Sequence, residues 1–418
     1  MRTALEDFTQ ESYGYLAASF QNKNFVFSPL SLHSALTILY LGTADNSRSQ
    51  EELQTALGGL LHQQLIQSQY RNLLKDYSAR KPIRYGNHLW VRKNFTLKAD
   101  YESLIRENFN AQLSGIDFKS EKAVKDINGW IENITKGKIK ELVKSIQPDT
   151  QLFLANALYF KENWMFPFEI NDLVGAPLRA DFHFQEDQSQ PVNMMAVVNK
   201  HIQYEEFNLP ETNQGFSLIR IPYENKDFEM KIILPKTTSG SLDLKALETY
   251  LNLTIKMDKT REKNIFRVPT TKANFSVSVL CKSIKSLQNY FQDVDLTMPR
   301  FTVRTKIAAE ELFRSLGAGE IFGGRAELSK ITDDGPLAIS GIIHESVLEI
   351  TKDGTEGAAA TGIKRTGGQS INVMKCNHLF PGVELVFFSS STENTKKVVV
   401  DRPFTFILQV ASLWFSIG

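Results

Sequence analysis

Residues 352–362 read Lys-Asp-Gly-Thr-Glu-Gly-Ala-Ala-Ala-Thr-Gly, and no other stretch constrains the fold as much. Just ahead lies His344-Glu345-Ser346-Val347-Leu348-Glu349-Ile350, whose β-branched and aliphatic positions from Val347 onward predict a strand. After Gly354 the chain is small, unbranched and free of proline, with little side-chain preference for one state. Written as a strand over 355–363 it alternates: Thr355, Gly357, Ala359, Thr361 and Ile363 share one face, and Glu356, Ala358, Ala360, Gly362 and Lys364 the other. All the charge before Arg365 then falls on one side, and small side chains are what two existing strands can admit between them. Composition alone reads the same run as a flexible Gly/Ala-rich loop, so the choice rests on the rest of the chain.

Asp7 to Phe20 predicts an amphipathic helix with Phe8, Tyr13 and Leu16 on its apolar side. Asn24-Phe25-Val26-Phe27-Ser28-Pro29-Leu30-Ser31-Leu32 follows, with Ser28 and Pro29 as a cap and first-turn pair for a helix that Gly42 stops. Ser49 to Leu57 begins another helix. Tyr85 to Leu97 alternates as a strand, and Tyr101 to Phe109 is helical. Leu152 to Lys161 is a buried-strand run with one amide in it, Asn156, which is costly to bury unless fully bonded. Phe182 to Met195, Ile221-Pro222-Tyr223 and Met230 to Pro235 are further apolar strands. Val398-Val399-Val400-Asp401-Arg402-Pro403-Phe404-Thr405-Phe406-Ile407-Leu408 comes near the C-terminal end.

Taken together, these blocks resemble the serpin family, the serine protease inhibitors whose reactive loop inserts into their main sheet. The resemblance spans nearly the whole chain. It implies one α+β domain over residues 1–418, the serpin fold of three β-sheets and about nine helices, with an exposed reactive centre loop at about 352–397. On this resemblance Gly354, Thr355, Glu356, Gly357, Ala358, Ala359, Ala360 and Thr361 form the hinge. Ser28 and Ser31 sit under the main sheet where it parts. Asn156 and His344 hydrogen-bond across the closed gap, and Trp164, ahead of Pro167-Phe168, marks its upper opening. Ile127 to Lys140, including Gly137-Lys138-Ile139, matches the helix that crosses the sheet and shifts aside during insertion.

The implied activity is that of a suicide substrate: a serine protease cleaves the loop, and the freed hinge inserts before the acyl-enzyme hydrolyses. Counted from Gly354 as in the family, cleavage follows Gly368, ahead of Gln369. Side-chain chemistry favours Arg365, ahead of Thr366 and beside Lys364, and hence a trypsin-like enzyme. Cleavage at Arg365 shortens the inserted strand by about 10 Å, whereas cleavage at Lys375 lengthens it by about 23 Å. The sequence departs from the family in four ways; the alanines and Thr355 favour inhibition, while loop length and Arg365 favour the rival expectation, a non-inhibitory serpin with a carrier, chaperone or storage role. Gly354 to Pro403 covers about 50 residues, roughly double the usual loop. Gly357 replaces a usual alanine, Lys352 a usual glutamate, and Arg365 falls by parity on the inward face, where a charge opposes insertion. Extra residues near 257–292 and 370–395 have no counterpart in the family pattern.

With a net charge of +1 on 418 residues, neither nucleic acid nor a membrane surface is an expected partner. Lys75, Arg80, Lys81 and Arg84 lie near where some serpins bind glycosaminoglycans, but Asp76 interrupts them and such binding is not expected. The expected partner is a target serine protease, the expected state a monomer. No nucleophile-base set, HExxH motif or phosphate loop is present, so neither an enzyme, a metal nor a cofactor is expected. Cys281 and Cys376 leave either two free thiols, the expectation, or one bridge. Met1 to Phe20 carries Glu6 and Asp7 where a signal peptide is apolar. The expectation is a secreted, extracellular glycoprotein whose signal is absent from this chain, with a cytoplasmic protein as the alternative. Sequons at Asn94, Asn133, Asn252 and Asn274 are compatible with secretion.

Overall fold

A computed structural model describes residues 2–20, 23–59, 63–79, 82–170, 179–185, 188–208, 215–236, 291–356, 395–410 and 413–414. The reactive-site candidates Arg365, Thr366, Gly368 and Gln369 lie outside these residues, as do hinge positions Gly357 to Thr361, both cysteines, Asn252, Asn274, and residues 257–290 and 370–394.

The main sheet has the order β2-β1-β3-β11-β10-β9, built from β1 (Ile83–Arg92), β2 (Ala111–Ile116), β3 (Leu152–Asn163), β9 (Phe301–Ala308), β10 (Ile339–Ile350) and β11 (Gly354–Glu356). The second sheet runs β12-β8-β5-β6-β7-β13-β14: β5 (Gln188–Asn208), β6 (Gly215–Pro222), β7 (Phe228–Pro235), β8 (Phe291–Pro299), β12 (Lys396–Val399), β13 (Thr405–Val410) and β14 (Leu413–Trp414), with β4 (Arg179–Gln185) on the start of β5. Seven α-helices lie among the described residues: α1 (Arg2–Ser19), α2 (Pro29–Leu41), α3 (Arg48–Ala56), α4 (Gln63–Ala79), α5 (Ala99–Phe109), α6 (Glu121–Ile134) and α7 (Ala309–Ser315).

Helix α2 is buried along its whole length, which its sequence requires, since apolar residues and small hydroxyls surround it on every side. Ser28 caps it by accepting from Ser31 N–H, and Pro29 sits in the first turn, where its missing N–H costs nothing. On one face of the main sheet Leu152 and Leu154 of β3 join the large core that includes α2 and the second sheet. On the other face Phe153, Ala155 and Ala157 pack with Ile127 and Ile131 of α6 in a smaller core. The alternation along β3 thus buries both faces, as a central strand covered on both sides must.

The crossing helix differs from the sequence expectation. It starts at Glu121, capped by Ser120, and ends at Ile134, so Gly137-Lys138-Ile139 lies beyond it. Lys136 and Gly137 adopt positive φ (50° and 81°), which stops the helix, and the chain returns as a strap across the sheet. Asn128 fastens that strap: its Oδ1 accepts from Leu142 N (2.8 Å) and Val143 N (3.0 Å), and its Nδ2 donates to Val143 O (2.8 Å).

Candidate functional site

Strands β3 and β10 run parallel and define a seam whose two halves differ. In the lower half they pair directly, from Leu152↔Ile339 to Ala157↔Glu345. In the upper half β11 lies between them, antiparallel to both, with Gly354↔Asn163, Thr355↔Glu162 and Glu356↔Lys161 on one side and Glu349↔Glu356 and Ile350↔Thr355 on the other. The expectation of a wholly exposed loop from residue 352 is therefore corrected, since the first hinge residues are already strand. Thr355 is 1 % exposed.

Local chemistry explains this placement. Thr351 folds the turn between β10 and β11, donating its N–H and Oγ1–H to Gly354 O at 2.9 Å each and accepting from Gly354 N–H. Gly354 is the residue this site permits, because a Cβ there would fall on the Glu162 carbonyl and 2.7 Å from Asn163 Cα. The side chain of Thr355 points inward, and its hydroxyl shares a 2.6 Å hydrogen bond with Tyr223 Oη. Burial pushes the Tyr223 phenol well above its ordinary range, so it acts there as a neutral hydroxyl. Trp164, fully buried and stacked on Tyr223 (ring centroids 4.5 Å apart), donates Nε1–H to Thr351 O (2.9 Å) and its backbone N–H to Asp353 O (3.0 Å). Phe168 N–H reaches Lys352 O (2.8 Å). The opening is lined by groups that bind the backbone of 351–354.

The lower half is held by one polar chain. His344 and Asn156 face each other in register, both 0 % exposed, with Nδ1···Oδ1 at 2.9 Å. Nε2 of His344 is approached by Ser28 N–H (3.1 Å) and Ser346 Oγ (2.8 Å). A backbone N–H only donates, so Nε2 accepts and Nδ1–H donates to Asn156. Asn156 Nδ2 donates to Asn87 Oδ1 (2.7 Å), and Asn87 Nδ2 to Tyr85 Oη (2.6 Å). Ser34 Oγ donates to Ser31 O, so it accepts from Tyr85, whose phenol burial pushes up to about 12. Burial lowers His344 to about 3, so the imidazole is neutral at physiological pH. Every side-chain polar atom from His344 to Ser34 thus has a partner in a buried interior, where an unpaired one costs most.

The structure brings Ser28, Asn156 and His344 together and sets Trp164 at the upper opening with Thr355. Ser31 lies beneath them, but its Oγ is buried without a hydrogen-bond partner. Sequence reasoning misses Tyr85, Asn87, Ser34, Ser346, Tyr223 and Thr351. Asn87 carries a signal, a second amide in a strand run that is otherwise buried, whereas Tyr223 carries none, because its partner lies 132 positions away. Among the described residues no group of His, Cys, Asp or Glu is placed to hold a metal, and no helix is long and apolar enough to cross a membrane.

The main sheet is thus closed directly between β3 and β10 in its lower half and parted around β11 in its upper half. The family profile described as "Serpin (serine protease inhibitor)" matches residues 3–413, and the chain belongs to the serpin family. It is 27 % identical over 419 residues to human neuroserpin, covering 97 % of this chain and 87 % of that protein. It is 30 % identical over 352 residues to a serine protease inhibitor of Cyanea capillata, covering 81 % and 82 %. Among solved structures, human glycosylated kallistatin matches with a TM-score of 0.77 at 23 % identity over 100 % of this chain and 96 % of that one. Thyroxine-binding globulin in complex with thyroxine matches with a TM-score of 0.73 at 21 % identity over 99 % and 96 %. At those identities the two structures establish the fold. The family and its curated relatives are generally inhibitors of proteases rather than enzymes.

Proposed function

We propose that the protein inhibits a trypsin-like serine protease as a suicide substrate, by insertion of the cleaved loop along the β3–β10 seam. The observation that carries this reading is the strand β11, which already occupies the mouth of the seam. Its register, continued downward, sets Ala360 between Ala157 and Glu345, then Thr361 between Asn156 and His344. The inserting strand replaces the hydrogen bond that keeps the lower half shut, and it does so with a side chain small enough for the gap. The same register takes Arg365 to the inner face opposite Leu152, at the bottom of the seam. Cleavage after Arg365 leaves that charge at the strand's far end, beside the buried Leu152, where it opposes entry of the last residue.

The second reading, a non-inhibitory carrier, is favoured by the length between Gly354 and Pro403. The same fold occurs in thyroxine-binding globulin, which was solved in complex with thyroxine. Secretion is part of the first reading, and the exposed Asn94 in the turn after β1 suits a glycan there. A monomer without nucleic acid, membrane or glycosaminoglycan partners completes it.

Incubation with trypsin-like and chymotrypsin-like proteases tests the reading. A covalent complex that survives detergent, with the loop cut after Arg365, is the expected result. Clean clipping of the loop by every protease, with no complex, overturns it in favour of the carrier.

A further inference from the structure

One row of charge crosses the upper seam on the face opposite Thr355. Lys161 of β3, Glu356 of β11 and Glu349 of β10 are successive register partners, so their side chains stand side by side on the face that α6 and its strap cover. Two carboxylates are thus directly opposed across the β10–β11 pair. Each is answered from a different side: Lys161 Nζ lies 2.9 Å from Glu356 Oε1, and Lys138 Nζ, on the strap after α6, lies 3.0 Å from Glu349 Oε2. Close by, Lys136, two residues before Lys138, sits over the Tyr159 ring (5.3 Å). Like charges directly opposed on paired strands destabilise the pair, and opposite charges stabilise it.

Resting on the reading above, we propose that Lys161 and Lys138 are positioning residues that set how much of the time the hinge stays in the sheet, and so how far the reactive loop is offered to a protease. Backbone bonds and the Thr355–Tyr223 contact hold the inner side of β11, and they are the same whatever the charge outside. On the outer side the balance is electrostatic. With both lysines present the carboxylates are compensated and β11 stays paired. Without either one, Glu349 and Glu356 repel each other and β11 leaves the sheet more often. The coupling reaches beyond the hinge, because Lys138 belongs to the strap that must move when more strand enters. Withdrawal of the strap removes the charge that makes the opposed pair tolerable.

Hydrogen exchange of the 350–356 segment in the intact protein, without any protease, tests this directly. Lys161→Met speeds exchange there by about two- to fivefold, as befits a half-exposed ion pair, and Lys138→Met does the same. Lys161→Arg restores the wild-type rate, and Glu349→Gln slows exchange. The Lys161→Met/Glu349→Gln double variant returns near wild type, while exchange in β1 is unchanged throughout. The proposal is overturned if Lys161→Met leaves the segment as protected as before, or if Glu349→Gln moves it in the same direction as Lys161→Met. Because the readout needs no inhibition, a protein that is only clipped by proteases but shows this pattern sinks the inhibitory reading and leaves the charge row standing.

Discussion

The two halves of the β3–β10 seam are shut by different means. Below, the strands pair with each other and share a buried chain of hydrogen bonds from Ser346 and Ser28 through His344, Asn156, Asn87 and Tyr85 to Ser34. Above, they are held apart by β11, whose contacts are a glycine against backbone, one hydroxyl pair, and carboxylates steadied by lysines. The lower seam is specific and all-or-none, because any missing member strands a polar group in the buried core. The upper seam is graded, made of small terms that can be exchanged for solvent. For the insertion proposed above, this order puts weak closure where the new strand would start and strong closure where it would commit.

The largest effect is expected from Thr355→Arg, which places a charge at a fully buried position of the upper seam beside Tyr223. Burying an unpaired guanidinium costs several kcal/mol, so β11 leaves the sheet and cannot lead the loop inward. The ratio of covalent complex to clipped product, read on a denaturing gel, falls at least about tenfold. An unchanged ratio would mean that the upper seam is not where insertion starts.

Asn156→Ala comes next. It leaves Asn87 Oδ1 and His344 Nδ1–H without partners and lowers stability by about 1–3 kcal/mol in denaturant titration. A loss as small as that of an exposed substitution would erase the distinction between the two halves.

Acid sharpens the comparison, because burial holds His344 near pKa 3, and His33 and His88 near 4. Their folded values lie below the ordinary value of about 6.5, so the unfolded chain takes up protons first. Stability present above about pH 6.5 is therefore lost as pH falls toward 4, by up to about 1.4 kcal/mol per pH unit per histidine. His344→Gln makes that slope shallower by about one proton's worth, read from denaturation midpoints between pH 7 and 4.5.

The smallest effect belongs to Tyr223→Phe, which removes one hydroxyl from the upper seam. It costs about 1 kcal/mol and speeds exchange in residues 354–356 while leaving His344 and Asn156 protected.

The lower seam is the more legible from sequence, for a physical reason. Asn156 in Leu-Phe-Leu-Ala-Asn-Ala-Leu and His344 before an apolar strand are lone polar residues in buried runs, and such residues must be paired. Their partners Tyr85 and Asn87 stay hidden because the pairing depends on which strand lies alongside. In the upper seam the alternation from Thr355 already sets Thr355 and Glu356 on opposite faces, but where that strand sits follows from the Glu162 carbonyl, the Tyr223 hydroxyl and the Trp164 ring, all distant in sequence. The crossing helix is misjudged at its end because Lys136 and Gly137 leave the helical region there, while Lys138 and Ile139 continue its apolar and charged pattern into the strap.

If β11 is the leading end of a longer strand which the seam accepts, cutting the loop raises the stability of the whole protein. Melting of the protein before and after a single cut in the loop tests it most directly. The cut protein is expected to melt more than about 10 °C higher than the intact one, with Thr355→Arg showing no such gain. Equal melting of cut and intact wild-type protein would contradict the claim.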